Sequence, residues 1–166
     1  FNPVAPSDLK RLLAKPGLAV TTEGYQMFAP MALIEVNTRN EYLKDKRVRQ
    51  AIMHALDRKF ILDNILYGYG KIATGPLTSD SPLYTTDGVP LYGQDLKKAN
   101  ALLDEVGFPR KGSAPRFKLT TELAPSPEFS RIAEYLKQSL ARIGIEVEIR
   151  SSDNPTFLRR VYTDYD

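Results

Sequence analysis

The chain has 166 residues, with 23 Lys and Arg against 20 Asp and Glu for a net charge of +3, a single His, and neither Cys nor Trp. Without cysteine there is no disulfide framework and no thiolate chemistry, no apolar run approaches the roughly 20 residues a membrane helix needs, and the length suits one domain with a real core. The basic residues alternate with acids, as at Lys97-Lys98 near Asp104-Glu105, so the small positive excess reads as solvated helix faces rather than a nucleic-acid-binding surface.

In chain order, Ser7 is expected to cap a short helix carrying Leu9, Leu12 and Leu13, ended by Pro16-Gly17. Leu18 to Thr22 and Met31 to Val36 read as strands, the second apolar on both faces and so central to its sheet. Val48, Ala51, Ile52, Ala55 and Leu56 recur at helical spacing behind a capping Asp45. A second helix starts at Asp57, with Phe60, Ile61, Ile65 and Leu66 continuing the stripe and small alanines at the contact between the pair. Residues 68–90, rich in glycine, proline and tyrosine, form the longest irregular segment, and long loops in compact domains are often functional.

Asp95 caps a helix with Leu96, Ala99, Leu102, Leu103 and Val106 inward, and Gly107 ends it. Residues 109–115 form a basic, turn-rich connector. Phe117, Leu119 and Thr121 alternate with Lys118, Thr120 and Glu122 in a strand. Ser126 caps the next helix with Pro127 at its first position; its buried stripe is Phe129, Ile132, Ala133, Leu136, Leu140 and Ile143, and Gly144 ends it. Ile145, Val147 and Ile149 then alternate with Glu146, Glu148 and Arg150. Strand–helix–strand implies parallel pairing with a right-handed crossover. A last short helix starts near Pro155, with Phe157, Leu158, Val161 and Tyr162 inward. Both chain ends are expected to be cuts in a longer protein: the sequence opens on Phe1 with no apolar secretion leader and stops at Asp166 straight after an amphipathic segment.

Chemistry finds little support. His54 sits among core positions beside Met53 and reads as a packed or surface residue. A hydrolytic triad would have to use it, and there is no Gly-x-Ser-x-Gly elbow. Gly68-Tyr69-Gly70 lacks the third glycine of a dinucleotide loop, no calcium-loop spacing appears, and Asp164 and Asp166 alone make no metal site. No catalytic residue, metal ligand or cofactor is expected.

The run Asp45-Lys46-Arg47-Val48-Arg49-Gln50-Ala51-Ile52-Met53-His54-Ala55-Leu56-Asp57-Arg58 resembles a signature of the family-five extracellular solute-binding proteins of ABC importers, which capture dipeptides, oligopeptides and nickel. Asp95 to Phe108 is similar to the family's Asp-x-x-Lys-Ala-x-x-Leu-Leu-x-x-x-Gly helix. Ile132 to Leu136, Leu140 and Ile143 to Val147 resemble its long helix leading into a strand. Asn37-Thr38 matches a strand end, and Gly68 to Pro76 its glycine-rich loop. The matches run in order from about Leu33 onward. Two departures are local: Glu41-Tyr42-Leu43 stands where the family often has Pro and an apolar residue, and Leu96 replaces a frequent Pro. The family's usual amine-binding acidic residue lies downstream of a segment like Tyr165-Asp166 and is absent from this sequence.

The resemblance implies an α/β fold: a mixed sheet with flanking helices and a C-terminal strand–helix–strand unit, one lobe of a type II periplasmic-binding-protein-like fold. Residues 1–166 would form a single domain, the second lobe of a two-lobed protein whose first lobe is missing. It implies capture, not catalysis, in the periplasm or lipid-anchored on the outer face of the cell membrane. Partners would be a peptide, or else nickel, haem or an oligosaccharide, together with a membrane permease. Ligands of open α/β sheets lie beyond the carboxyl ends of the strands, which marks Leu123 to Ser126, with Ala124 and Pro125 between them, and Arg150 to Asp153. Arg160 is a candidate carboxylate partner by its fork of donors; Tyr67, Tyr69 and Lys71 are candidates in the glycine-rich loop. The alternative of a different class is a basic nucleic-acid-binding module using Arg47, Arg49, Lys59 and Lys71.

Overall fold

A computed structural model describes residues 4–21 and 31–165. Helix α1 spans Pro6–Leu13, α2 Lys46–Ala55 and α3 Arg58–Phe60, the last running into a π-helical turn at Ile61–Ile65. After the long loop come α4 (Leu96–Glu105), β1 (Phe117–Leu123), α5 (Pro127–Ala141) and β2 (Ile145–Ser151). Helix α6 (Asn154–Arg159) continues into a second π-helical turn, Arg160–Asp164.

The helix starts follow the capping chemistry. Asp45, Asp57, Asp95, Ser126 and Asp153 each accept a backbone N–H two or three residues on, satisfying donors that the first helical turn leaves without a partner. Helix α1 departs from expectation: Ala5 is its cap residue, without a side-chain bond, and Pro6 with its preset φ opens the helix, so Ser7 lies inside it.

β1 and β2 pair in parallel, from Phe117 opposite Ile145 to Leu123 opposite Ser151. Helix α5 makes the crossover and packs on both strands, while α2 packs chiefly on α4. The core they enclose holds Val48, Ala51, Ile52 and Ala55 of α2, Ala99 and Leu103 of α4, Phe117, Ile145 and Val147 of the sheet, and Leu136, Leu140 and Ile143. Ala51, Ala55 and Ala99 are fully buried, and their small side chains let α2 and α4 approach closely. Tyr42 stacks on Phe117 at 4.4 Å and meets Phe108 edge-on, closing the core below the sheet.

The α/β class and the parallel strand–helix–strand unit match expectation. Among the described residues the two further strands are not seen: 18–20 and 31–36 carry no ladder, and the sheet described is two-stranded and parallel. Leu18, Val20, Leu33 and Ile34 stand exposed instead. An apolar alternation reports a segment fit to line a sheet, but a strand exists only where a neighbour pairs with it; Thr22 lies outside the described residues. Three stripes also shift. Phe60 and Phe129, expected inward, are exposed, as are Leu158 and Tyr162 near the C-terminus.

Asp45 gives the fold an acid-sensitive point. Its Oδ2 accepts from Arg47 Nη2 at 2.8 Å and its Oδ1 from the Arg47 backbone N–H at 2.8 Å. The Arg47 side chain first, then that N–H, holds the carboxyl down to about 2 from an ordinary 3.8. A depressed carboxyl contributes stability that is complete above the unfolded value and disappears as pH falls through the folded one. Asp45→Asn keeps an amide oxygen for the cap but cannot titrate. Urea unfolding at intervals from pH 5 to pH 2 is therefore expected to give a shallower loss of stability below pH 4 in this variant than in the wild type; superimposable curves would contradict it.

Candidate functional site

The carboxyl ends of β1 and β2 carry a compact polar group. Ser126 accepts the Phe129 N–H at 3.4 Å and its hydroxyl donates to Glu128 Oε2 at 2.8 Å. That second bond lowers the Glu128 carboxyl. Ala124 is half-buried and Pro125 exposed, so the loop offers its main chain more than its side chains. Across the ladder, Asp153 caps α6, its carboxyl lowered by the Thr156 bonds. Arg160, on the π-helical turn beyond α6, reaches back to Glu122 near the end of β1, its Nη1 lying 3.2 Å from each carboxylate oxygen. Ser152 donates to the same carboxylate. Arg150 lies alongside, Nε 3.3 Å from Glu148 Oε1.

The glycine-rich loop forms a second group. Tyr67 adopts a left-handed φ of 54°, uncommon for a residue with a bulky side chain, and Gly68 follows at 79°. The Gly68 N–H donates to the Leu62 carbonyl at 2.8 Å and the Tyr69 N–H to Leu66 at 2.9 Å. The resulting tight exit from the π-helical turn leaves the Tyr67 and Tyr69 rings 49% and 42% exposed. Lys71 is already engaged, with Nζ 2.9 Å from Asp80 Oδ1 and 3.2 Å from Ser79 Oγ.

The rest of the loop is stapled to the helix pair. Arg58 donates to the Ala73 carbonyl at 2.8 Å and to Tyr92 at 3.0 Å, Gln50 to the Tyr92 hydroxyl, and Gln94 to Ala55. The buried His54 donates from Nδ1 to the Gly93 carbonyl at 2.8 Å and meets Tyr92 edge-on. That is the packed role expected of the single histidine. Among the described residues, no hydrogen bond, ion pair or ring contact joins Tyr67, Tyr69 or Lys71 to Ala124, Pro125, Ser126 or Arg160. Ser126 and Arg160 likewise share no direct bond; what they share is their place at the carboxyl ends of β1 and β2. Among the same residues, no cluster of three or more His, Cys, Asp or Glu side chains is placed to hold a metal ion.

Sequence reasoning missed an open groove of about 490 Å³ between Phe60 and Ile65 on one side and Ser130, Arg131, Glu134, Tyr135 and Gln138 of α5 on the other. Phe60 stacks on Tyr135 with centroids 5.0 Å apart. The Tyr135 hydroxyl accepts the Asp57 N–H at 2.9 Å and donates to the Asp57 carbonyl at 3.3 Å, tying α5 to the start of α3. The signal was available: Ser130, Glu134 and Gln138 stand four apart on the polar face of α5, and Phe60 was the aromatic at the matching end of the helix pair.

Helices packed on a parallel ladder suit the fold of the type II periplasmic binding proteins, and the superposition of solved members of that class on this chain shows it. The oligopeptide-binding protein AppA of Bacillus subtilis, solved with a nonapeptide, matches with a TM-score of 0.70 and 32% identity over 75% of this chain and 26% of its own. The model for bacterial extracellular solute-binding proteins, family 5 Middle, matches residues 1–166, and the chain belongs to that family. A putative ABC transporter peptide-binding protein of Brucella ovis is 34% identical over 120 residues, 72% of this chain and 22% of its own length. The nickel-binding protein NikA of Staphylococcus aureus is 32% identical over 123 residues, 74% of this chain and 24% of its own. The chain thus spans about a quarter of the length of these relatives.

Proposed function

We propose that this chain is part of the substrate-binding component of an ABC importer, and that it supplies one wall of a peptide site outside the cell membrane, in the periplasm or on the outer face. The observation that carries the reading is the family match over residues 1–166 together with the parallel ladder, whose carboxyl end gathers Glu122, Ser126, Ser152 and Arg160. A peptide is the favoured solute because relatives named for peptide binding match at 34% and 35% identity, against 32% for the nickel-binding one. Nickel is the second reading, supported by the similarity to a nickel-binding relative.

On this reading the chain is the second lobe of a two-lobed clamp. Ala124, Pro125 and Ser126 offer backbone groups to the peptide main chain, and the exposed rings of Tyr67 and Tyr69 offer stacking surface to its side chains. A hinge closes the lobes on the solute, which passes unchanged to a membrane permease; no catalytic step is involved. No helix among the described residues is long and apolar enough to cross a membrane.

The basic residues of the nucleic-acid alternative each have a local partner, which favours the solute-capture reading over it. Arg47 pairs with Asp45, Arg49 donates to the Leu43 and Lys44 carbonyls, Lys59 pairs with Asp63 and Lys71 with Asp80. Mass spectrometry of the solutes that co-purify with the natural-length protein tests the proposal. Short peptides are expected. A chelated metal in their place would move the assignment to the nickel reading, and nucleic acid released steeply by salt would reject solute capture.

A further inference from the structure

The polar cluster at the end of the ladder has unused donors on one side. Glu122 is the penultimate residue of β1 and Ser152 directly follows β2, so both stand at the carboxyl end of the strands. The Glu122 side chain is only 8% exposed. A carboxylate that far from water needs compensation, and it receives bonds from Ser152 and from Arg160 Nη1. An arginine serving only to neutralise Glu122 would set two nitrogens against the two oxygens, the fork pairing that suits guanidinium and carboxylate. Here one nitrogen serves both oxygens. Nε and Nη2 have no partner among the described residues, and the Arg160 side chain is 33% exposed. The neighbouring cations are otherwise occupied: Arg159 lies 3.7 Å from Asp164, and Arg150 contacts Glu148.

We infer that Arg160 receives a carboxylate of the captured solute on Nε and Nη2, with Glu122 and Ser152 as positioning residues that fix the plane of the guanidinium. Open α/β sheets hold ligands beyond the carboxyl ends of their strands, where this cluster lies. Lysine cannot substitute, because its point charge offers no second parallel donor. The inference rests on the peptide-capture reading above and adds which end of the peptide this wall reads.

The test is calorimetric titration of the natural-length protein with trialanine and with its C-terminal amide. The wild type is expected to prefer the free acid by about tenfold or more, the share of a charge-assisted bidentate contact. Arg160→Gln is expected to bind both probes alike. Arg160→Lys, which keeps a cation against Glu122 and so protects the fold, retains only part of the preference. Glu122→Gln reduces the preference while thermal melting reports a folded protein. Equal wild-type affinity for acid and amide, or full preference in Arg160→Lys, overturns the inference and leaves peptide capture standing. Binding of neither probe overturns both.

Discussion

Ile143→Asp is expected to abolish cooperative folding at 37 °C. Ile143 has no solvent exposure and lies in the core cluster between the end of α5 and the start of β2. Its neighbours there are apolar: Leu140, Ile145, Phe117 and Leu103. An aspartate at this point forfeits the transfer free energy of the Ile side chain, about 1.5–3 kcal/mol. It also carries a carboxyl among buried apolar side chains, while the one nearby cation, Arg116, is already committed to carbonyl and carboxylate acceptors, at several kcal/mol more. The sum, on the order of 5 kcal/mol or above, is comparable to the whole stability of a domain at the lower end of the usual ~5–15 kcal/mol. Ile143→Val, by contrast, removes one methyl and is expected to cost about 0.5–1.5 kcal/mol. Thermal melts followed by circular dichroism compare the two; an unchanged melting temperature in Ile143→Asp would show the α5 stripe to be facing elsewhere.

Arg116→Met is expected to cost about 2–4 kcal/mol. Arg116 immediately precedes β1, and its side chain is 1% exposed. From that position it donates Nε to the Ile143 carbonyl at 3.0 Å and Nη2 to Asn100 Oδ1 at 2.9 Å, and Nη1 reaches both the Phe108 carbonyl and the Asp104 carboxylate. One planar group thus joins α4, the loop after it and the α5–β2 turn. Methionine keeps the apolar stem but abandons two carbonyls and an amide oxygen. Arg116→Lys recovers little, since a single ammonium cannot serve divergent acceptors in fixed directions. Asp104→Asn, removing a half-exposed partner, is expected to cost less than about 1 kcal/mol. Gly144 is part of the same arrangement: at φ +81° an added Cβ would stand 3.1 Å from Arg116 Cγ. Urea denaturation within about 0.5 kcal/mol of wild type for Arg116→Met would remove the residue from its central place in the fold.

What could be read in the sequence was local. Asp45, Asp57, Asp95 and Ser126 announce their helices because an N-cap is a contact made within three residues. The parallel ladder was legible because Phe117 to Leu123 and Ile145 to Ser151 flank a single amphipathic helix, which leaves one sterically simple connection. What failed was relational. Leu18 to Thr22 and Met31 to Val36 have the composition of strands, but residues 18–20 and 31–36 carry no ladder. Phe60 and Phe129 follow the helical period yet face outward, Phe60 into a groove whose other wall starts at Ser130, far along the chain. Arg116 read only as the first residue of a strand, because its acceptors at Asn100, Phe108 and Ile143 are main-chain and amide oxygens that composition does not mark.

The candidate site was legible to the same degree. Its place at the carboxyl end of the strands follows from topology, and Arg160 follows from its chemistry. Glu122 was hidden as one polar residue in an alternating strand, though it is the carboxylate on which Arg160 turns. The partner of Lys71 was hidden as well, because Asp80 sits nine residues on in a loop with no periodic signal.

Photo-crosslinking tests the central claim most directly. A short peptide carrying a benzophenone side chain, bound to the natural-length protein and irradiated, marks the residues that form the wall. Adducts mapped by mass spectrometry to residues 67–71 and 124–126 are the expected result. Adducts confined to the outer face of α4, or to the Lys118, Glu146 and Glu148 face of the sheet, would contradict it.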